Sequence, residues 1–356
     1  MRFVVFWFFL GLCLAVSGIS ARAGDLPDFA TWLTSLRAEA LARGVSRQTV
    51  DRALGEVRLI KKVVTRDRNQ AEFVETTAEY LKKRVSPWRI EAGAQRFADH
   101  YQTLQAVARR FGVQPRFIAA IWGIETNYGA IALSYPAIDA LATLAYDPRR
   151  AKRFRAELFA ALEILDAGAA SLEQMKSSWG GALGQPQFMP LAYLHYAVDF
   201  DADGKKDIWS TPGDIFASIA NYLKSAGWRN DQTWGRAVRI PAGLAAPLAA
   251  EAALTAPAPC ARYASLGPWH DLAAFQRAGV RRLNGADLPT RSLPAALIQP
   301  DGKKEDAGEK EGRGFIVYQN FCSIMRYNPA FKYALAVGLL SDEIARGGRR
   351  RIADGK

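Results

Sequence analysis

Glu125 is the residue best placed to do chemistry in this sequence. Ile118, Ile121, Trp122 and Glu125 fall at i, i+3, i+4 and i+7, which on a helix is one face, so a carboxyl is aimed where the helix points its apolar side. Burial disfavours the charged form, and a glutamate so placed holds its proton to higher pH than a free one and can act as a general acid near neutrality. A structural glutamate paired with an arginine would show the same spacing. The next four residues tip the balance: Thr126-Asn127-Tyr128-Gly129 supplies a small polar residue, an aromatic and a helix-ending glycine. A second segment, Ser178-Trp179-Gly180-Gly181-Ala182-Leu183-Gly184-Gln185-Pro186-Gln187-Phe188-Met189-Pro190, has three glycines within five positions, which lets backbone approach a ligand, and an amide at Gln187 that can donate and accept. Its alternative is a plain helix-to-helix turn. No second acid is apparent beside Glu125.

These residues need helices to hold them. Apolar spacing predicts helix over most of 29–108, with Phe29, Leu33 and Leu36 on one face and Phe73, Tyr80 and Leu81 on another. Pro115 suits a first helical turn, and 117–125 follows it with no break except Gly123. Further helices are expected at 150–165, 191–198 and 215–226, joined by Gly- or Pro-containing turns. Beyond Gly227 the character changes. Residues 237–240, 296–298 and 315–318 have β character, 241–259 is an Ala/Pro-rich connector with little helical patterning, and 273–278 is a short helix before a turn at Asn284-Gly285. The segment 301–314 reads as a charged, mobile loop, 329–344 as an apolar helix, and 349–351 as a solvated basic tail.

Composition narrows the partners. The chain has 356 residues, 49% hydrophobic and 11% aromatic, with 47 Lys plus Arg against 35 Asp plus Glu for a formal charge of +12. That excludes wholesale disorder and asks for an acidic partner: nucleic acid, a membrane surface or an anionic polysaccharide. Residues 1–23 resemble a signal peptide, with Arg2, an apolar run over 3–15 and an A-x-A site at Ala21-Arg22-Ala23. An apolar core of about 13 residues is short of the ~20 that a spanning helix needs. Leu12 before Cys13 argues against lipidation, so the expectation is cleavage after Ala23 and a soluble periplasmic protein. Export leaves Cys260 and Cys322 as a candidate disulfide, with two buried free thiols as the alternative. With a signal peptide and no nucleic-acid motif, nucleic acid leaves the list.

The motifs carry a resemblance. Gly123-Ile124-Glu125-Thr126-Asn127-Tyr128-Gly129, Gly181-Ala182-Leu183-Gly184-Gln185-Pro186-Gln187-Phe188-Met189-Pro190, Tyr196-Ala197-Val198-Asp199-Phe200, Asn221-Tyr222-Leu223, and Arg326-Tyr327-Asn328 followed by Tyr333-Ala334-Leu335-Ala336-Val337 look like the lytic murein transglycosylase B family. The match runs in order from about Tyr80 to Leu340. The resemblance implies a mainly α fold, with a lysozyme-like catalytic core, an additional helical region and a small β-containing C-terminal region. It also implies cleavage of the MurNAc–GlcNAc β-1,4 bond of peptidoglycan without net addition of water, leaving a 1,6-anhydromuramoyl end. Glu125 matches the single acid/base, which agrees with the absence of an apparent second acid. Ser178 and Gln187 match residues that hold the N-acetyl region, and Tyr222, Tyr327 and Asn328 match residues lining the cleft. Tyr80, Arg149 and Tyr333 match sugar- or peptide-contacting groups. A hydrolytic muramidase of the same fold and a non-catalytic peptidoglycan-binding protein are the alternatives.

One loop has cation-binding spacing. Asp199, Asp201, Asp203 and Asp207 stand at positions 1, 3, 5 and 9 of an EF-hand-like run, with Gly204 at 6 and Lys205 at 7, but position 12 is Ser210 rather than a closing Glu. The family resemblance implies an extended loop closed a few residues later, and Asp214 is the candidate. The expected metal set is therefore Asp199, Asp201, Asp203, Lys205 and Asp214 around a structural Ca²⁺; a solvated turn offset by Lys205 and Lys206 is the alternative. No cofactor is required for the chemistry. The expected layout is a signal peptide (1–23), an N-terminal helical region (24–100), a catalytic core with the cation loop (101–235), a β-containing region (236–325), and a C-terminal helix returning to the core with a basic tail (326–356). The expected partner is a peptidoglycan strand bound by a monomer.

Overall fold

Helices account for most of the computed structural model, which describes residues 27–68, 75–300 and 311–353. The expected signal peptide with Cys13, Phe73, and most of the expected loop at 301–314 therefore lie outside the described residues. Helix α1 (Phe29–Ala42) begins where Asp28 accepts the amides of Ala30 and Thr31, and α2 (Arg47–Leu54) where the Ser46 hydroxyl accepts from Thr49. After α3 (Lys61–Arg68), a capping box between Thr76 and Glu79 opens α4 (Thr77–Arg84), and Ser86 with Pro87 opens α5 (Pro87–Asp99). Each cap satisfies amides that the first helical turn cannot. Next come α6 (Tyr101–Phe111) and α7 (Pro115–Thr126).

Every residue of α7 from Phe117 to Ile124 is buried. The helix is thus enclosed on all sides rather than amphipathic, as expected of one that is apolar all round. It packs against α5, α6, α11 (Pro212–Ser225) and the long C-terminal α15 (Phe331–Ala353), forming the first apolar core. A second core joins α1 to α3 with α8 (Ala137–Tyr146), α9 (Ala151–Asp166) and α10 (Pro190–Tyr196). Tyr327, at the end of α14 (Gln319–Tyr327), packs against both cores.

Strands β1 (Tyr135–Pro136) and β2 (Lys176–Ser177) make a small ribbon beside α8. A five-stranded antiparallel sheet runs in the order β4 (Trp269–Asp271), β6 (Pro294–Ile298), β7 (Glu311–Val317), β3 (Gly235–Pro241) and β5 (Arg281–Arg282). It shares a third, smaller core with α12 (Ala245–Ala249) and α13 (Leu272–Arg277), to which Leu244, Leu248 and Phe275 contribute.

Three expectations are corrected by this fold. Strand β7 starts at Glu311, so the end of the expected loop is sheet: Gly312, Arg313 and Gly314 pair with Ile240, Arg239 and Val238. Nothing in Gly-Arg-Gly favours a strand. The register imposes one, and at Gly314 a Cβ would come within 2.7 Å of the Ile240 side chain and 2.9 Å of the Ile298 carbonyl. The connector at 241–259 contains α12, because Leu244 and Leu248 find apolar partners on the third core. Finally, α15 continues beyond Ile344 to Ala353; Arg349 and Arg350 are exposed as expected, but Arg351 donates to Gln95 at 2.7 Å and pairs with Glu91 on α5. The division drawn at 325/326 falls inside α14. Cys260 and Cys322 are joined, with Cα atoms 5.2 Å apart, tying a 3₁₀ turn to α14.

Candidate active site

Glu125 sits half-buried in the last turn of α7, and Tyr333 from α15 donates its hydroxyl to Glu125 Oε1 at 2.6 Å. Tyr333 is itself buried. Burial first, and then the neighbouring Glu125 charge, holds the phenols of Tyr333 and Tyr327 well above the ordinary tyrosine range, so both remain donors. The Tyr327 ring lies parallel to that of Tyr333 at 6.5 Å, and its hydroxyl donates to the Pro186 carbonyl at 2.7 Å. Tyr222 is next, 4.7 Å from Tyr327, with its hydroxyl donating to the Arg326 carbonyl at 2.6 Å and its phenol pushed up to about 12, chiefly by burial. Tyr196 completes the row, 4.5 Å from Tyr222. Four tyrosine rings thus extend from the carboxyl; Tyr333 is buried, and the part-exposed Tyr327, Tyr222 and Tyr196 give the row an amphipathic face suited to a ring-shaped ligand. Tyr196 was not singled out from sequence, although it opens one of the motifs; only the packing of α10 against α11 reveals its place in the row.

The segment after β2 is folded tightly on itself. Ser178 exchanges bonds with Ala182, its amide donating to the Ala182 carbonyl at 2.9 Å and its hydroxyl accepting the Ala182 amide at 3.3 Å. Gln187 donates from Nε2 to the Gly184 carbonyl at 3.0 Å. The glycines differ from expectation. A Cβ at Gly181 would meet Leu141 at 2.3 Å and one at Gly184 would meet Ile208 at 2.6 Å, so these two serve close internal packing, whereas one at Gly180 would meet nothing nearer than Ser178 Oγ at 3.9 Å. Asn328 accepts the Ala330 amide at 3.1 Å directly after Tyr327. Tyr80 is buried in the first core, near enough to Tyr333 to act on its phenol. Arg149 is placed elsewhere: its guanidinium is bound to the buried Asp67 at the end of α3, and no contact joins it to the Glu125 cluster among the described residues.

Asp214 meets two of the loop aspartates. Carboxylate oxygens of Asp199, Asp201 and Asp214 all lie within 4.8 Å of one another, although Asp214 belongs to the first turn of α11. Asp214 is buried, accepts the amides of Phe200 and Asp207 at 2.7 Å each, and has its pKa raised by burial and by the charges of Asp201 and Asp199. Three converging oxygens, one of them strained toward neutrality, are the donor set that a hard divalent cation would relieve. Local amides also turn to the loop carboxylates: Asp199 accepts from Ala202 and Gly204, Asp201 from Asp203, Asp203 from Lys205, and Asp207 from Trp209 and Ser210.

A family model described as the transglycosylase SLT domain matches residues 28–342. This chain belongs to that family. Similarity to individual members of the transglycosylase family agrees. Membrane-bound lytic murein transglycosylase B of Escherichia coli (strain K12) is 29% identical over 320 residues, covering 85% of this chain and 79% of the relative. The crystal structure of SltB3 from Pseudomonas aeruginosa in complex with NAG-anhNAM-pentapeptide superposes with a TM-score of 0.79 at 42% identity, covering 90% of this chain and 80% of that one. Escherichia coli Slt35 in complex with calcium superposes with a TM-score of 0.71 at 26% identity, covering 89% and 93%. The mainly helical, lysozyme-like fold of this transglycosylase is therefore that of its relatives.

Proposed function

We propose that this protein is a lytic transglycosylase that cleaves the MurNAc–GlcNAc β-1,4 bond of peptidoglycan, with Glu125 as its single acid/base. The observation that carries the reading is the half-buried Glu125 carboxyl, held at 2.6 Å by Tyr333 at the head of a tyrosine row, in a chain 42% identical to a protein crystallised with a NAG-anhNAM-pentapeptide. In the first step Glu125 gives its proton to the glycosidic oxygen as the bond to the muramoyl anomeric carbon breaks. In the second, the carboxylate takes the proton of the muramoyl C6 hydroxyl as that oxygen attacks the anomeric carbon. The acid is thereby restored and no water is consumed. Ser178, Gln187, Tyr222, Tyr327 and Asn328 are the residues to which sugar contacts are assigned.

Digestion of purified sacculi with mass spectrometry of the products tests this. Anhydromuramoyl ends, lighter by one water than hydrolytic ones, are expected from the wild type, and Glu125→Gln should abolish their release while keeping the fold. Hydrolytic products would favour the muramidase alternative, and undiminished release by the variant would remove Glu125 from the mechanism.

The leader-like segment 1–23 supports export to the periplasm, where the substrate lies; no described helix is long and apolar enough to cross a membrane. Asp199, Asp201 and Asp214, with Asp203 and the Lys205 carbonyl completing the loop, would hold a Ca²⁺ whose role is structural.

A further inference from the structure

Directly after Glu125 the chain enters an unusual conformation. Asn127, Tyr128 and Gly129 have φ of 49°, 61° and 81°, three consecutive residues in the left-handed region, which glycine takes freely and asparagine tolerates but a tyrosine disfavours. Arg89 on α5 holds this reversal. It is 7% exposed, and its Nε and Nη2 both donate to Asn127 Oδ1, at 3.0 and 2.5 Å. Nη1 donates to the carbonyls of Lys83 and Arg84 in the last turn of α4, at 2.8 and 2.7 Å. Tyr128 closes the arrangement by donating to the Arg89 carbonyl at 2.9 Å. The Tyr128 ring folds back over α7 where Gly123 leaves room, since a Cβ there would come within 2.4 Å of it.

The partners of this buried guanidinium are neutral oxygens, so its charge is not spent on a carboxylate. It lies instead by the C-terminus of α7, the negative end of the helix that carries Glu125. We propose that Arg89 is a positioning residue for Glu125. By gripping Asn127 it fixes how α7 ends, and hence where the carboxyl of the preceding turn points. The proposal rests on the reading of Glu125 as the acid/base. A general acid works only within hydrogen-bond reach of the oxygen that it protonates, so a small rotation of this turn is costly even though Arg89 touches no substrate.

The test is steady-state kinetics on soluble glycan fragments with variants of both partners, each assayed well below its own melting midpoint. Asn127→Ala removes the acceptor and suits the left-handed backbone poorly; Asn127→Asp keeps the acceptor and tolerates that backbone. Asn127→Ala and Arg89→Lys are expected to lose roughly 10- to 100-fold in kcat with KM within about twofold, and Asn127→Asp to return kcat to within about threefold of wild type. An Asn127→Ala enzyme with undiminished kcat, a loss confined to KM, or an Asn127→Asp enzyme no better than Asn127→Ala would overturn the proposal. Glu125→Gln is run alongside. If it is active, the acid assignment falls and the proposal with it; if it is inactive beside a fully active Asn127→Ala, the proposal alone falls.

Discussion

Glu125 and Tyr333 meet across 208 residues of chain in a 2.6 Å bond that holds the carboxyl in place. A phenol kept neutral by burial can donate to the carboxylate and accept from the protonated acid, so it can stay bonded while the proton leaves and returns. Tyr333→Phe removes one donor and no volume of consequence. It should lower kcat about tenfold and change stability by no more than about 1 kcal/mol, read from product release and urea melts. A variant with wild-type kcat would reduce Tyr333 to packing. At this scale Glu125 was legible, because its place on an apolar stretch and the motif around it are both sequence properties. Arg89 was not. It lies in a charged segment without a motif, and only the approach of α5 to the end of α7 gives its guanidinium something to hold.

Helices and loops hold these groups through contacts that are specific to their ends. Glu157 on α9, 7% exposed, accepts the Leu191 amide at the start of α10 at 3.0 Å, and burial raises its pKa. A carboxyl whose folded pKa lies above the unfolded one binds a proton more tightly when folded. Its ionisation therefore costs stability as pH rises through the folded pKa, and costs nothing below the unfolded value. Glu157→Gln, which keeps an acceptor for Leu191, should raise stability at pH 7.5 relative to wild type and lose that advantage at pH 4, measured by denaturant titration; equal effects at both would refute the linkage. The cation loop obeys the same physics. Asp214 was the closing candidate that the family resemblance implied, and its convergence on Asp199 and Asp201 depends on the start of α11. Adding Ca²⁺ to chelator-treated protein should raise Tm by several degrees, and Asp214→Asn should remove most of that gain; an unchanged Tm would favour the solvated turn.

At the scale of the whole molecule, two apolar cores flank the tyrosine row, and the sheet region is attached to the first through Trp269, Ala296 and Val317. The Cys260–Cys322 bond spans a sequence separation of 62 and ties that region to α14, which delivers Tyr327. In the chain-entropy view a loop of this size is worth up to ~4 kcal/mol, so the Cys260→Ser, Cys322→Ser double variant should melt several degrees lower while retaining activity at low temperature. Loss of activity without loss of stability would instead give the bond a role in placing Tyr327. The +12 charge needs no dedicated site for its effect, a general attraction to an anionic wall polymer. The sequence by itself determined the mainly helical class, the family and the two cysteines, and singled out Glu125 as the candidate acid, since periodicity, motif order and composition are local or countable. The tertiary structure alone decided that α7 is enclosed on every side, that Gly181 and Gly184 face Leu141 and Ile208 rather than a ligand, that Arg149 binds Asp67, and that Gly-Arg-Gly is strand. Each of these depends on what another element places opposite a residue, and the residue's own neighbours in the chain carry no record of that.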